Sequence, residues 1–277
     1  MVVGPSVGTR QSRPWIVSDE LWLLIEPLLP EPAPKLVEGR PRVPDRQALC
    51  GILFVLHTGI QWEYLPQELG FGSGMTCWRR LAAWNEADMW DQLHLVLLRK
   101  LRAAKQLDWS RAVIDSPRAS GPAGPKSGPS PVDRARPGSK HHVVTDARGI
   151  PLAVSLTGGN RNDVTQLLPL LDKIPAVAGV VGQPRRRPDA LLADRAYDHD
   201  KYRRLLWDRG IRPVIAERGV EHGSGLGVFR WVVERTIAWL HGFRRLRIRS
   251  ERRDDIHEAF LGLATCLITH RHVQRLC

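Results

Sequence analysis

Between Arg111 and His241 the chain changes its hydrophobic period repeatedly. Short apolar runs, AVID, HHVVTD, IPLAVSL, ALLAD and IRPVIA, are separated by stretches in which apolar residues recur every three or four positions. The first kind suits strands, whose side chains alternate between two faces, and the second suits helices. RAVIDS reads as a strand, and HHVVTDARGIPLAVSL as two strands joined by a hairpin turn at Ala147-Arg148-Gly149. Pro117 to Gly138, rich in Gly, Pro and Ser, reads as a loop. Asp163 opens a helix over VTQLLPLLDKI, PDALLAD is a strand ending at Asp194, Asp198 caps the helix KYRRLLWDR, and a strand over IRPVIA precedes a last helix from Phe229. That order predicts an α/β domain in which a mixed sheet is covered by helices on both faces.

Upstream the pattern is helical. Residues 1–14 lack periodicity and read as a disordered leader. Ser18-Asp19-Glu20 starts a helix through Leu21, Leu24, Ile25 and Leu28, and the proline-rich EPAPKLVEGRPRVP follows as a linker. Asp45 opens a periodic helix that Gly59 ends. QWEYLPQELG and SGMTCWRRLAAWNEADMWDQLHLVLLRKL read as two more helical segments around a glycine-rich turn from Gly70 to Gly74. Two arrangements fit equally: a helix-turn-helix with Arg79 and Arg80 on the exposed face of its second helix, or a plain bundle with Trp62, Trp78, Trp84 and Trp90 in its core. The expected division is a helical DNA-binding unit over 15–105 and a larger unit over 106–277.

A formal net charge of +12 favours a polyanionic partner, and nucleic acid is the natural one. No run approaches the length of a membrane span, and the start lacks the pattern of a secretory signal, so a cytoplasmic protein is expected. Cys50, Cys77, Cys266 and Cys277 are scattered, which predicts reduced, mostly buried thiols and no zinc finger. His270 and His272 read as part of a solvated tail.

Three carboxylates stand out. Asp115 and Asp194 each end an apolar strand-like run, and Glu234 lies on a helix whose Val233, Ile237 and Leu240 form an apolar face able to rest on the sheet. Singly, the aspartates suit strand-end turns, and Glu234 suits a partner for Arg230 one helical turn before it. Brought together, three carboxylates can hold two divalent ions that clamp the attacking and leaving oxygens of a phosphoryl transfer. Oxygen donors suit Mg2+, with Mn2+ as a substitute.

VIDS, GSKHHVVTDARGIPLAV, LLADRAYD and RWVVERTIAWLHGFRRLRIRSER resemble the DDE transposases of bacterial insertion sequences, the IS-five group. GRPRVPDRQALCGILFVLHTGIQWEYLP resembles that group's helical N-terminal domain, and the resemblance spans roughly residues 18 to 272. It implies an RNase H-like catalytic domain with Asp115, Asp194 and Glu234 as catalytic acids and metal ligands. The implied reaction is magnesium-dependent cleavage at terminal inverted repeats, followed by attack of the exposed 3′-hydroxyl on target DNA. Around the last acid the family carries Tyr, two residues, Arg, three residues, Glu, six residues, Lys or Arg. Arg230 and Glu234 fit, which implies that Arg230 holds a phosphate, but the Tyr position is Gly227 and the basic position is His241. Arg244, Arg245, Arg247 and Arg249 are expected DNA-backbone contacts, against the ordinary reading of a solvated charge run, and Lys140 is a further candidate. The expected partner is double-stranded DNA, the terminal inverted repeats and the target, bound by a homodimer or higher assembly associated with the bacterial chromosome. A nuclease or resolvase without strand transfer, and a domesticated DNA-binding regulator, are the competing readings.

Overall fold

The computed structural model describes residues 13–32, 41–131, 133–219 and 227–276. Most of the leader, the middle of the proline-rich linker and Cys277 lie outside the described residues.

The helical part opens with α1 (Asp19–Ile25), where the Ser18 hydroxyl accepts the Leu21 N–H at 3.3 Å. Next comes α2 (Asp45–Thr58), closed by Gly59 in the left-handed conformation at φ +74°. QWEYLPQELG is not a helix but two single 3-10 turns, Trp62–Tyr64 and Gln67–Leu69. Pro66 between them has no N–H to continue a helical ladder. The run expected as one helix after Ser73 is two, α3 (Gly74–Glu86) and α4 (Met89–Ala103), broken where Asp88 takes a φ of +53°. Ser73 caps α3 by accepting the Thr76 N–H at 3.2 Å. Gly74 lets the preceding turn close, since a Cβ there would stand 1.7 Å from the Trp62 carbonyl oxygen.

The described residues form one sheet of 7 strands: β1 (Ala112–Asp115), β2 (Arg118–Ser120), β3 (Gly128–Pro129), β4 (Pro137–Asp146), β5 (Pro151–Gly158), β6 (Ala190–Ala193) and β7 (Arg212–Ile215). β2 and β3 lie in the stretch read as a loop, recruited by the N-terminal end of the long β4. β4 carries β5 along one side and β1 and β2 along the other, all antiparallel, and β6 and β7 continue beyond β1 in parallel. The connecting helices are α5 (Leu167–Asp172) and α6 (Asp200–Trp207), followed by α7 (Gly227–Gly242), α8 (Arg244–Arg247) and α9 (Asp254–Gln274).

Strand periodicity divides the core into two layers. Val113, Val143, Ala190 and Leu192 face a layer built from α7, α9 and the N-terminal helices. Ala112, Ile114, Val144, Leu191 and Ala193 face the opposite layer, with α5 and α6. The mixed sheet with helices on both faces is therefore as expected, and an all-helical region precedes it. α9 packs on both α4 and β5, so the apolar core of that region runs on into the first face of the sheet. Cys50, Cys77 and Cys266 are buried free thiols within it.

Three local expectations are corrected. Asn162 rather than Asp163 accepts the Val164 N–H, and His199 rather than Asp198 caps α6. Both aspartates are held by cations instead, Asp163 by Lys140 at 2.8 Å and Asp198 by Arg203 at 2.7 Å, where donor and acceptor are both charged, whereas at a cap only the acceptor would be. His270 is not in a solvated tail, because α9 carries it into the core.

Candidate active site

Asp115 is the last residue of β1, and Asp194 directly follows β6. The two strands are parallel neighbours with Val113 opposite Leu192, so both aspartates emerge level at the same edge of the sheet. Each spends one oxygen on the local chain: Asp115 Oδ1 accepts the Ser116 N–H at 2.8 Å, and Asp194 Oδ1 accepts the Ala196 N–H at 2.9 Å. Their Oδ2 atoms point to a common centre. Glu234 reaches that centre from α7, which lies on β1 and β4 with Val233 and Leu240 buried and Ile237 packed beside them. This is the helix face read from the sequence.

A guanidinium occupies the centre. One terminal nitrogen of Arg230 lies 3.3 Å from Asp115 Oδ2, 3.8 Å from Glu234 Oε1 and 4.0 Å from Asp194 Oδ2. Burial raises the pKa of Asp194, and the nearby charges of Asp115 and Asp163 push the same way, against the Ala196 N–H and Arg230. Beneath the aspartates the buried Tyr197 hydroxyl stands 3.2 Å from Ser116 Oγ, tying the two strand ends together. Lys140 Nζ binds Asp163 and the Arg161 carbonyl at 2.9 Å. Asp163 and Tyr197 line this edge without any motif in the sequence that marks them for it. Their signal was faint: the tyrosine of LLADRAYD, and an aspartate whose helix-start position hid its ion pair.

The expected DNA contacts divide by burial. Arg79 is exposed on α3, but Arg80 is pinned to Asp45, with the Val43 carbonyl at 3.4 Å, and is not on an open recognition face. Lys140 is committed to Asp163. Arg244 and Arg247 are exposed, whereas Arg245 and Arg249 are 4% and 1% exposed and serve the fold. Arg245 donates to Glu251 at 2.6 and 3.1 Å and to the carbonyls of Gly59 and Ile60. Arg249 makes five hydrogen bonds, to the carbonyls of Pro125, Lys126, Glu251 and Arg252 and to Ser139 Oγ. Both turn inward because irregular segments leave carbonyls without helical or sheet partners, and an arginine fork can satisfy several at once. His241, at the family's basic position, is half-buried beside His141 with ring centroids 5.9 Å apart.

Two family profiles match the chain. A putative transposase of the IS4/5 family matches residues 17–94, and a transposase DDE domain matches residues 107–223 and 229–269. The chain belongs to the DDE transposases. A putative transposase for insertion sequence element IS402 from Burkholderia cepacia is 64% identical over 165 residues, covering 60% of this chain and 77% of that protein. An uncharacterized 16.2 kDa protein of insertion element IS402, from the same organism, is 58% identical over 120 residues, covering 42% of this chain and 81% of that protein. The chain is thus a DDE-type DNA transposase with an RNase H-like catalytic fold. No helix of the described residues is long and apolar enough to cross a membrane.

Proposed function

We propose that this transposase cuts DNA at the terminal inverted repeats of its insertion sequence and joins the resulting 3′-hydroxyl ends to target DNA, with Asp115, Asp194 and Glu234 as its catalytic acids. One observation carries the reading: carboxylates from two strand ends and a helix converge within 4.0 Å of a single cationic nitrogen.

The donor set is oxygen alone, which suits Mg2+ or Mn2+ rather than a thiolate-seeking metal. Among the described residues no three His, Cys, Asp or Glu side chains stand close enough for one ion as they lie, so the carboxylates must draw inward from their present positions around Arg230. Asp115 and Asp194 would hold both ions and Glu234 the second. When bound, two such ions would activate the attacking oxygen and stabilise the leaving one. The chain itself contributes positioning: the backbone N–H groups of Ser116 and Ala196 fix one oxygen of each aspartate, and the Tyr197–Ser116 contact holds the two strand ends in register. Glu234, 58% exposed against 22% for Asp115 and 32% for Asp194, has the most room of the three to close on a bound strand. The helical region over 15–105 and the exposed Arg79, Arg244 and Arg247 are the proposed footing on duplex DNA, with a homodimer or higher assembly pairing two ends on the bacterial chromosome.

A labelled 3′ end of the element's terminus, incubated with plasmid and Mg2+, tests this. Cleavage with a joined product supports transposition, cleavage without joining gives a nuclease, and binding without cutting gives a regulator. Asp115→Asn, Asp194→Asn and Glu234→Gln should each stay folded, keep much of the DNA affinity and lose cutting. Retention of full cutting by all three would remove the three-carboxylate mechanism.

A further inference from the structure

The buried arginines show how this fold treats a guanidinium meant to stay. Arg249 spends its donors on five hydrogen bonds, and Arg245 holds a carboxylate and two carbonyls. Arg230 is bound differently. Among the described residues its only hydrogen bond is the long one to Asp115, the other two carboxylates stand beyond hydrogen-bond reach at 3.8 and 4.0 Å, and its buried Nε has no partner. It sits where the charges balance rather than where its donors fit.

From this contrast we infer that Arg230 is an exchangeable counter-ion of the catalytic carboxylates: it competes with divalent cations for their oxygens, and their binding turns its guanidinium outward toward the DNA phosphate. The inference rests on the proposed reading that Asp115, Asp194 and Glu234 are metal ligands. The physical basis is simple. One guanidinium nitrogen lies within 4.0 Å of an oxygen from each of the three carboxylates, so a divalent ion that draws those oxygens to about 2.1 Å takes the place the guanidinium now holds. Displacement is cheap for a group with one long hydrogen bond, and the displaced charge remains on α7, one turn from Glu234. The same side chain would thus restrain the acids from repelling one another before metal arrives and meet a phosphate afterwards. Metal loading and DNA-end binding would then be coupled through one residue.

The test is calorimetric titration of the full-length chain with Mn2+ alone, a readout independent of catalysis. Arg230→Gln should bind Mn2+ at least tenfold tighter than the wild type, because the competing charge is gone. Arg230→Lys, which keeps the charge, should stay within about threefold of the wild type; Arg230→Met is a second neutral variant should the glutamine perturb folding. An Asp115→Asn/Asp194→Asn double variant, checked for folding by circular dichroism, should lose the binding. If the neutral Arg230 variants bind Mn2+ no tighter than the wild type while the double variant loses it, the exchange is overturned and the carboxylate metal site stands. If the double variant binds as the wild type does, the metal site itself falls, and the inference with it.

Discussion

Replacing Arg245 by alanine separates a fold-serving arginine from a DNA-binding one. Its guanidinium and the Glu251 carboxylate are both nearly inaccessible, and among the described residues the Glu251 carboxylate keeps only the Trp62 indole N–H, at 3.0 Å, once the arginine is gone. Removing one member of such a buried pair leaves an uncompensated charge and costs about 3–5 kcal/mol. The carbonyls of Gly59 and Ile60 lose their donor as well, at the point where the arginine ties the end of α2 to α8. At about 2 °C per kcal/mol for a chain of this size, the melting temperature should drop by roughly 6–10 °C. Arg244→Ala and Arg247→Ala, on exposed side chains of the same short helix, should change stability by less than about 0.5 kcal/mol. Salt-dependent DNA binding should show the reverse pattern: each exposed arginine that meets a phosphate contributes about 0.9 to the log-log slope, and Arg245→Ala, once refolded at low temperature, leaves the slope unchanged. Urea unfolding and fluorescence-anisotropy titrations at several salt concentrations read both quantities. A flattened slope with unaltered stability in Arg245→Ala would refute the assignment and restore this residue to the DNA surface.

Acid should destabilise the fold between about pH 6.5 and pH 4. Burial holds His94 and His142 neutral, with pKa values lowered to about 4, and lowers His257 to about 3 with help from the Arg249 and Arg245 charges. A histidine whose folded pKa lies below its unfolded value contributes stability above pH 6.5 that is lost as pH falls, at up to about 1.4 kcal/mol per pH unit for each group. Asp146, whose pKa burial raises to about 6, opposes one of them over part of that range. Urea midpoints that stay flat from pH 7 to pH 5 would contradict this. Gly74→Ala should cost about 3 kcal/mol or more, because its Cβ would meet backbone rather than a movable side chain; wild-type melting of the variant would show that the turn can shift. Asp198→Asn should keep magnesium-dependent cutting, since Asp198 binds Arg203 and the Arg218 N–H and not the catalytic centre; loss of cutting with Asp194→Asn still active would move the second acid to Asp198.

Periodicity carried the order of the longer strands and helices, because a side chain's direction repeats every two residues on a strand and about every 3.6 on a helix whatever lies against it, but not the short β2 and β3, which exist by pairing with β4. The placement of the three proposed acids was legible for the same reason: two end apolar runs that read as strands, and the third shares a helix with Val233 and Leu240. Pairings between distant segments were not legible. Nothing local tells Arg245 and Arg249 from Arg244 and Arg247, since all four share one short basic run; only the docking of that run against the end of α2 and the 125–139 segment decides which charges are buried. The caps failed at Asp163 and Asp198 because Lys140 and Arg203, brought near by the sheet and by α6, outbid the helix starts for their oxygens. Arg230 shows both levels at once. Its spacing from Glu234 follows from the helix, but its place among three carboxylates exists only because β1, β6 and α7 meet at one edge.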